Sequence, residues 1–356
     1  MKITITKSDQ SKINEVDFDN LEFGRMFTDH MVEATYYDGK WQTAEVKPYS
    51  PISFEPSVMA LHYGQTVFEG MKAYYVDDST INLFRPADHF RRFNKSAKRL
   101  AMPEVDESLF IGALEELIKL DYRWVPKKHG QALYLRPFMF ASEEYLAAKA
   151  ATEYRFYLIA SPVGAYYSEG FNPVKLTTTG EYVRAVEGGT GEAKAGGNYG
   201  GSFLPAQKAS KDGFTQVLWL DAKEHKYVEE VGTMNIFFLI GDKLITPKLS
   251  GSVLPGITRR SVITLATEWG VKAGERPILI DEIFEANEKG ELKEIFGTGT
   301  AAVISPVGTI HHNGRTLTLN QDKIGDFAKR TFDRITGIQY GKVEDVYNWT
   351  HPVRVK

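Results

Sequence analysis

No cysteine occurs in the 356-residue chain, which excludes disulfides, thiolate metal sites and a cysteine nucleophile together. Long apolar runs are absent as well. Stretches such as Ile236-Phe-Phe-Leu-Ile240 fall far short of the roughly 18 residues that suggest a membrane span. Neither sign of charge prevails: Lys plus Arg number 43 against 46 for Asp plus Glu, a net charge of −3, so nothing marks an electrostatic footprint for nucleic acid or an anionic membrane. The first turns of sequence carry Asp9, Glu15, Asp17, Asp19 and Glu22 against Lys2, Lys7 and Lys12, with no apolar core of a signal peptide. That composition fits neither a secretory nor a transit segment, and the expected location is cytoplasmic. The eight His residues show no metal-ligand spacing. A G-x-S-x-G hydrolase signature is missing too.

What is present describes an ordinary globular protein, with 42% hydrophobic and 25% charged residues. At roughly 150 residues per domain, the length predicts two domains, and the balanced charge points to a small-molecule partner. Between Phe27 and Tyr75, aromatic and β-branched residues broken at Asp38-Gly39 and Pro51 predict strands and hairpins. The period then changes. Phe90, Phe93, Ala97 and Leu100 predict one helix, and Leu109, Ala113, Leu117 and Leu120 predict a second that Asp106 would cap. Residues 131–136 return to strand pattern. The polar, Ala-rich segment 146–153 is the expected linker between a small N-terminal α/β domain, 1–145, and a larger β-rich C-terminal domain with helices, 154–356. In the latter, Tyr154–Pro162 and Val174–Thr178 read as strands, Gln216–Leu220 and Tyr227–Ile240 as a hairpin, and a helix from Thr258 would bury Val262, Leu265, Ala266 and Trp269 before Gly270. Asn313-Gly314 predicts a surface hairpin after His311-His312.

Gly188-Gly-Thr-Gly-Glu-Ala-Lys194-Ala-Gly-Gly-Asn-Tyr-Gly-Gly201 is the most unusual stretch. It is not a P-loop, because Ala193 and Ala195 stand where Gly and Ser or Thr would be needed. Taken alone it reads as a flexible turn with a solvated lysine. Phe296-Gly-Thr-Gly-Thr-Ala-Ala302 fits G-x-G-x-x-A, but a dinucleotide fingerprint opens a helix, and here a strand-like run cut by Pro306 follows. What remains is a tight loop with free amides and the Thr300 hydroxyl, suited to anions. Leu254-Pro-Gly-Ile-Thr258 leads into a helix whose first amides would favour a phosphate. In Glu229-Glu-Val-Gly-Thr-Met-Asn235, adjacent glutamates on a strand point to opposite faces, so one of the two is expected inside, with a bulge at Gly232.

The Lys194 segment, 230–235, 254–258 and Gly-Thr-Gly-Thr-Ala at 297–301 together resemble the branched-chain amino-acid aminotransferases, fold-type IV α/β enzymes that use pyridoxal 5′-phosphate. Phe23-Gly, Phe27-Thr-Asp-His30, Leu61-His-Tyr63, Phe68-Glu-Gly-Met-Lys72 and Tyr134-Leu-Arg-Pro137 extend the resemblance over nearly the whole chain. It implies that Lys194 is the Schiff-base lysine and base, Tyr199 the partner of the phenolic oxygen, and Glu230 the carboxylate on the pyridine nitrogen. Arg92, Ile257, Thr258 and Thr300 match the phosphate cup, and Thr233 joins the cofactor set. Read from periodicity alone, Arg92 would be a solvated surface charge. Tyr134 with the amides of Thr300 and Ala301 matches the group on the α-carboxylate, Arg136 the residue meeting glutamate's distal carboxylate, and Phe23, Tyr63, Phe68 and Tyr166 the side-chain pocket. The resemblance further implies a homodimer, with Tyr63 and the linker near Ala148 supplied across subunits. Ala302 and Ser305 stand where some animal members carry a Cys-x-x-Cys pair, so no thiol switch exists there.

The implied reaction is ping-pong amino transfer between leucine, isoleucine or valine and 2-oxoglutarate. One pocket must then take an apolar side chain and a carboxylate, a conflict that Arg136 could resolve. D-amino-acid aminotransferases and aminodeoxychorismate-lyase-like enzymes share the frame, and a phosphate-binding regulator would also use glycine-rich loops.

Overall fold

Asp38 and Gly39 both take positive φ, 52° and 73°, as a two-residue hairpin turn of the right twist requires. They fold one strand onto the next within a nine-stranded sheet. A computed structural model describes residues 2–164, 172–319 and 323–356. The first sheet comprises β1 (Ile3–Ile5), β2 (His30–Tyr37), β3 (Lys40–Pro48), β4 (Thr66–Phe68), β5 (Met71–Asp77), β6 (Thr80–Phe84), β7 (Ala132–Ala141) and β8 (Tyr154–Val163), with Thr350–Arg354 as its last strand. The order is β1-β3-β2-β8-β7-β5-β6 and then Thr350–Arg354, while β4 pairs with β7.

Three helices belong to this half: α1 (Met59–Tyr63), α2 (Pro86–Arg99) and α3 (Glu107–Leu120). Pro86 occupies the first turn of α2, where its missing N–H costs nothing. Phe93 and Ala97 of α2 and Leu109, Phe110, Ala113 and Leu117 of α3 are buried in one core with sheet residues such as Leu135 and Phe156. Each such large side chain contributes about 1.5–3 kcal/mol through burial. Asp106 does precede α3, but its side chain makes no capping hydrogen bond.

The strand Tyr154–Val163 departs from expectation. It is β8 of the first sheet, paired along its full length with β7 and also with β2. Segment 146–153 therefore joins two neighbouring strands. Its polar composition reads equally well as a hairpin connection or a linker, and only the pairing partner distinguishes them.

The second sheet contains β9 (Val174–Thr178), β10 (Gln216–Leu220), β11 (Val228–Val231), β12 (Asn235–Ile240), β13 (Lys243–Pro247), β14 (Lys272–Arg276), β15 (Leu292–Gly299), β16 (Val303–His312) and β17 (Arg315–Thr318). Its order is β11-β10-β9-β16-β15-β12-β13-β14, with β17 on β16. The helices are α4 (Gly196–Gly200), α5 (Phe203–Lys211), α6 (Ile257–Glu268), α7 (Ile280–Glu288) and α8 (Asp326–Gln339). Val262, Leu265 and Ala266 of α6 are fully buried, and Gly270 at φ 74° follows it as expected. Pro306 does not cut β16. It pairs with Phe296 on one side, and pairing with β9 starts only at Val307, so the missing N–H forfeits no ladder bond there. Asn313 and Gly314 form the hairpin turn, though His312 before it is buried, its Nδ1 2.8 Å from Thr178 Oγ1.

Two compact units result: Met1–Tyr166 with Ala193–Gly196 and Gly337–Lys356, and Tyr167–Glu192 with Gly197–Thr336. Lys194 thus sits in a four-residue segment that belongs to the first unit, although the chain on either side belongs to the second. Among the described residues, no helix is long and apolar enough to cross a membrane.

Candidate active site

In the first unit, the backbone around Lys194 is held rather than free. Its N–H donates to Ser96 Oγ at 2.9 Å, its carbonyl accepts from Phe68 N–H at 3.1 Å, and Ala195 bridges Val67. The segment thereby lies along β4. Gly196 allows this approach, since a Cβ there would stand 2.8 Å from Thr66 Cγ2.

Helix α2 supplies the surroundings from one face, because His89, Arg92 and Ser96 are spaced at i, i+3 and i+7. All three are buried. Arg92 donates twice to the fully buried Glu69, Nε to Oε1 at 2.7 Å and Nη2 to Oε2 at 2.9 Å. His89 Nδ1 lies 2.7 Å from the same Oε2. Burial alone would raise the Glu69 carboxyl, but Arg92 and then His89 outweigh it and hold Glu69 far below the ordinary carboxylate range. For His89 burial wins over the pull of Glu69, and its pKa falls below the usual histidine value.

On the neighbouring strands, Tyr134 and Arg136 share a face of β7 at i and i+2. Arg136 Nη2 donates to Tyr134 Oη at 3.0 Å. A side chain at residue 70 would collide with that hydroxyl, so Gly70 makes room for it. The Arg136 guanidinium lies 4.5 Å from the Phe68 ring centre, and Lys194 Nζ lies 4.8 Å from the same ring. Arg136 Nε is buried with no hydrogen-bond partner, which marks a donor awaiting an acceptor. Phe23 meets Tyr134 edge-on at 4.8 Å. Tyr63, at the end of α1, is 45% exposed. Tyr166 lies outside the described residues.

In the second unit, both glutamates of β11 are buried, contrary to the expectation that one would face solvent. The alternation of a strand separates their directions, but each finds a polar partner. Glu230 Oε2 pairs with Arg184 Nε at 2.5 Å. Its Oε1 accepts from Asn235 Nδ2 at 2.9 Å and Leu254 N–H at 3.2 Å. Glu229 Oε1 accepts from Ser252 Oγ. Gly232 follows at φ 54° and turns the chain into β12.

Glu230, Tyr199, Thr233 and Arg184 line one small cavity with Asn198 and Leu254. The glycine-rich run beside it is pinned: Thr190 Oγ1 donates to Asn198 Oδ1 at 2.6 Å, Asn198 Nδ2 returns a bond to the Thr190 carbonyl at 2.8 Å, and Arg184 holds the Gly191 carbonyl at 3.1 Å. Ile257 and Thr258 open α6, where the first amides have no partner inside the helix. Gly256 precedes them because a Cβ would strike Asn235 Oδ1. Thr300 and Ala301 form the turn between β15 and β16.

The structure therefore brings together Lys194, Arg92, Phe68, Tyr134, Arg136 and Phe23 in one unit, and Glu230, Tyr199 and Thr233 in the other. Sequence reasoning missed Glu69, His89, Ser96, Arg184 and Asn235. The polar stripe at 89, 92 and 96 was available as a signal for α2, and Glu69 lies inside a quoted motif. Arg184 carries no signal, because its role depends on contacts made 46 residues away with Glu230.

The two-sheet arrangement and these polar constellations are those of a fold-type IV aminotransferase. The chain belongs to the class IV amino-transferase family, which it matches over residues 66–310, and within it to the branched-chain amino-acid aminotransferases. It is 48% identical to "Branched-chain-amino-acid aminotransferase 2" of Bacillus subtilis (strain 168), over 99% of this chain and 96% of that protein. Among solved structures, the Escherichia coli branched-chain amino acid aminotransferase superposes with a TM-score of 0.74 at 26% identity, covering 91% of this chain and 99% of that one. A branched-chain amino acid aminotransferase of T.th. complexed with N-(5′-phosphopyridoxyl)-L-glutamate gives 0.70 at 26% identity, covering 91% and 98%.

Proposed function

We propose that the protein transfers amino groups reversibly between L-leucine, L-isoleucine or L-valine and 2-oxoglutarate, with pyridoxal 5′-phosphate carried on Lys194. The observation that carries this reading is the Lys194 amine over the Phe68 ring that also faces the Arg136 guanidinium. The donor set suits such a cofactor. Lys194 offers an amine to an aldehyde, Arg92 and the α6 amides at 257 and 258 suit a phosphate, buried Glu230 suits a ring nitrogen that carries a proton, and Tyr199 offers a hydroxyl to the phenolic oxygen. The phosphopyridoxyl-glutamate complex of the T.th. enzyme supports both cofactor and co-substrate.

When bound, the cofactor supplies an electron sink that acidifies the substrate's α-proton. The Lys194 amine would take that proton and carry it for return, its backbone fixed by Ser96 and Phe68 so that the side chain alone moves. Glu230 holds a proton on the ring nitrogen, and Arg184, Asn235 and the Leu254 amide keep its two oxygens oriented. Thr233 and Thr300 complete the hold on the cofactor. Tyr134 and the amides of Thr300 and Ala301 orient the α-carboxylate. Phe23, Phe68 and Tyr63 would wall an apolar pocket, and the unpartnered Arg136 Nε gives the distal carboxylate of glutamate a charged donor. The working form is a homodimer in which Tyr63 and the segment near Ala148 serve the other subunit's pocket.

Borohydride reduction followed by peptide mapping tests the attachment: a pyridoxyl group should appear on the peptide containing Lys194, and a label elsewhere or none would sink the assignment. For specificity, Arg136→Ala should lower kcat/KM for glutamate at least about tenfold more than for L-leucine, the scale of a lost charge-assisted hydrogen bond. Equal losses would count against that role. D-leucine should not turn over.

A further inference from the structure

Behind the strand that carries Glu230 lies a second cavity, of about 590 Å³, built wholly within the second unit. Glu229 lines it. This side chain is only 8% exposed, and while Oε1 accepts from Ser252, Oε2 is buried without any hydrogen-bond partner. The neighbouring Asp221 is not in the same position, since its carboxylate already accepts from the amides of Lys223, Glu224, Lys226 and Tyr227. A buried carboxylate oxygen left unpaired is costly, so the Glu229 carboxylate at the cavity wall has an unmet demand for a donor that a ligand drawing it outward would meet. Burial pushes the Glu229 carboxyl above its ordinary value, the effect expected of an acid lacking a cationic neighbour close enough to offset desolvation.

The remaining walls define what kind of donor fits. Val186, Tyr227, Pro247 and Val253 supply apolar surface, and at the exposed rim the cations Lys223 and Lys248 stand with the carboxylates Glu187 and Glu224, a balance that suits an ammonium or a zwitterion. A volume of this size accommodates a molecule as large as an amino acid.

Ser252 connects this cavity to Glu230. Its hydroxyl donates to Glu229, and its carbonyl accepts from Arg184 Nη1 at 2.7 Å. Arg184 pairs with Glu230, and the Leu254 amide two residues further on also reaches Glu230. A shift of Ser252 therefore moves two of the three partners that orient Glu230.

We propose that this cavity is an effector site for a small molecule with a primary ammonium group on an apolar body, the ammonium seated on Glu229, and that occupancy is transmitted to Glu230 through Ser252 and Arg184. The binding half stands independently of the cofactor assignment; the transmission half rests on Glu230 meeting the cofactor. The ammonium could come from a simple amine or from a zwitterionic amino acid, whose carboxylate Lys223 and Lys248 would attract.

The test is titration calorimetry on borohydride-reduced enzyme, in which the cofactor cannot exchange Lys194 for an added amine. The probes are 3-methylbutylamine and L-leucine. Saturable binding of the amine should weaken about tenfold or more in Glu229→Gln, and also in Val186→Trp, which fills the cavity from a position 54% exposed and so spares the core. If L-leucine shows a tighter component lost in both variants, the zwitterion is the occupant; if only the amine does, the ammonium alone is read. Absence of any amine binding that these variants weaken would overturn the site. Transmission predicts that the amine shifts the absorbance of the reduced cofactor in the parent enzyme and not in Ser252→Ala; binding without a shift would overturn that half. Should borohydride leave no label on Lys194, the cofactor reading fails, while calorimetry on the untreated protein still decides the cavity.

Discussion

Glu69 shows how much one buried carboxylate organises. It is fully enclosed and receives Arg92 twice and His89 once, so the guanidinium is fixed in plane. Replacing it by Gln keeps the shape but takes the buried counter-charge from Arg92, a loss of about 3 kcal/mol by the usual cost of breaking such a pair. Glu69→Gln should therefore lower the urea midpoint and weaken binding of added cofactor together; an unchanged midpoint would show that the pair does not hold this region. The sign of the pH effect follows from the depressed carboxyl. Its stabilisation is complete above the ordinary carboxylate pKa and is lost only as the pH falls through and below that range. The parent enzyme should then show an acid-dependent loss of stability in that window that the Gln variant lacks.

At the scale of elements, the entrance to α6 is set by space rather than by backbone strain. Gly256 has an ordinary φ of −65°, yet a methyl group there would press on Asn235 Oδ1. Asn235 in turn holds Glu230 and the Leu254 carbonyl at 2.9 Å each. Gly256→Ala should leave the far-ultraviolet circular dichroism unchanged while weakening cofactor binding about tenfold, measured by spectrophotometric titration with pyridoxal 5′-phosphate. Gly232 is different, because its positive φ makes any side chain strained whatever the space. Such elements also show where reading a sequence succeeds. The hairpins at Asp38-Gly39 and Asn313-Gly314 and the helices α2, α3 and α6 depend on local periodicity and turn chemistry, and all are found. The sheet that β8 joins and the continuity of β16 through Pro306 depend on which strand lies alongside, a non-local fact.

For the whole molecule, the exposed apolar residues Leu61, Tyr63, Tyr145 and Leu146 are brought together by the bridge between Val58 and Glu144 and the Met59 amide on the Glu143 carbonyl. Clustered exposed apolar groups of this kind suit an interface. If the working form is a dimer through this patch, Leu61→Glu with Leu146→Glu should give a monomer by sedimentation velocity, and turnover should fall with it, since Tyr63 would then no longer reach the neighbouring pocket. A dimer that persists would place the interface elsewhere.

By itself the sequence determined the family and singled out Lys194, the acidic strand and the anion loops as candidates, because glycine spacing and short motifs are local and each demands a particular backbone. It could not determine that Arg92 is buried on Glu69, that Glu229 is enclosed as well as Glu230, or that Arg184 and Ser252 connect them. Those outcomes depend on desolvation and on partners distant in the chain, and only the tertiary structure supplies both.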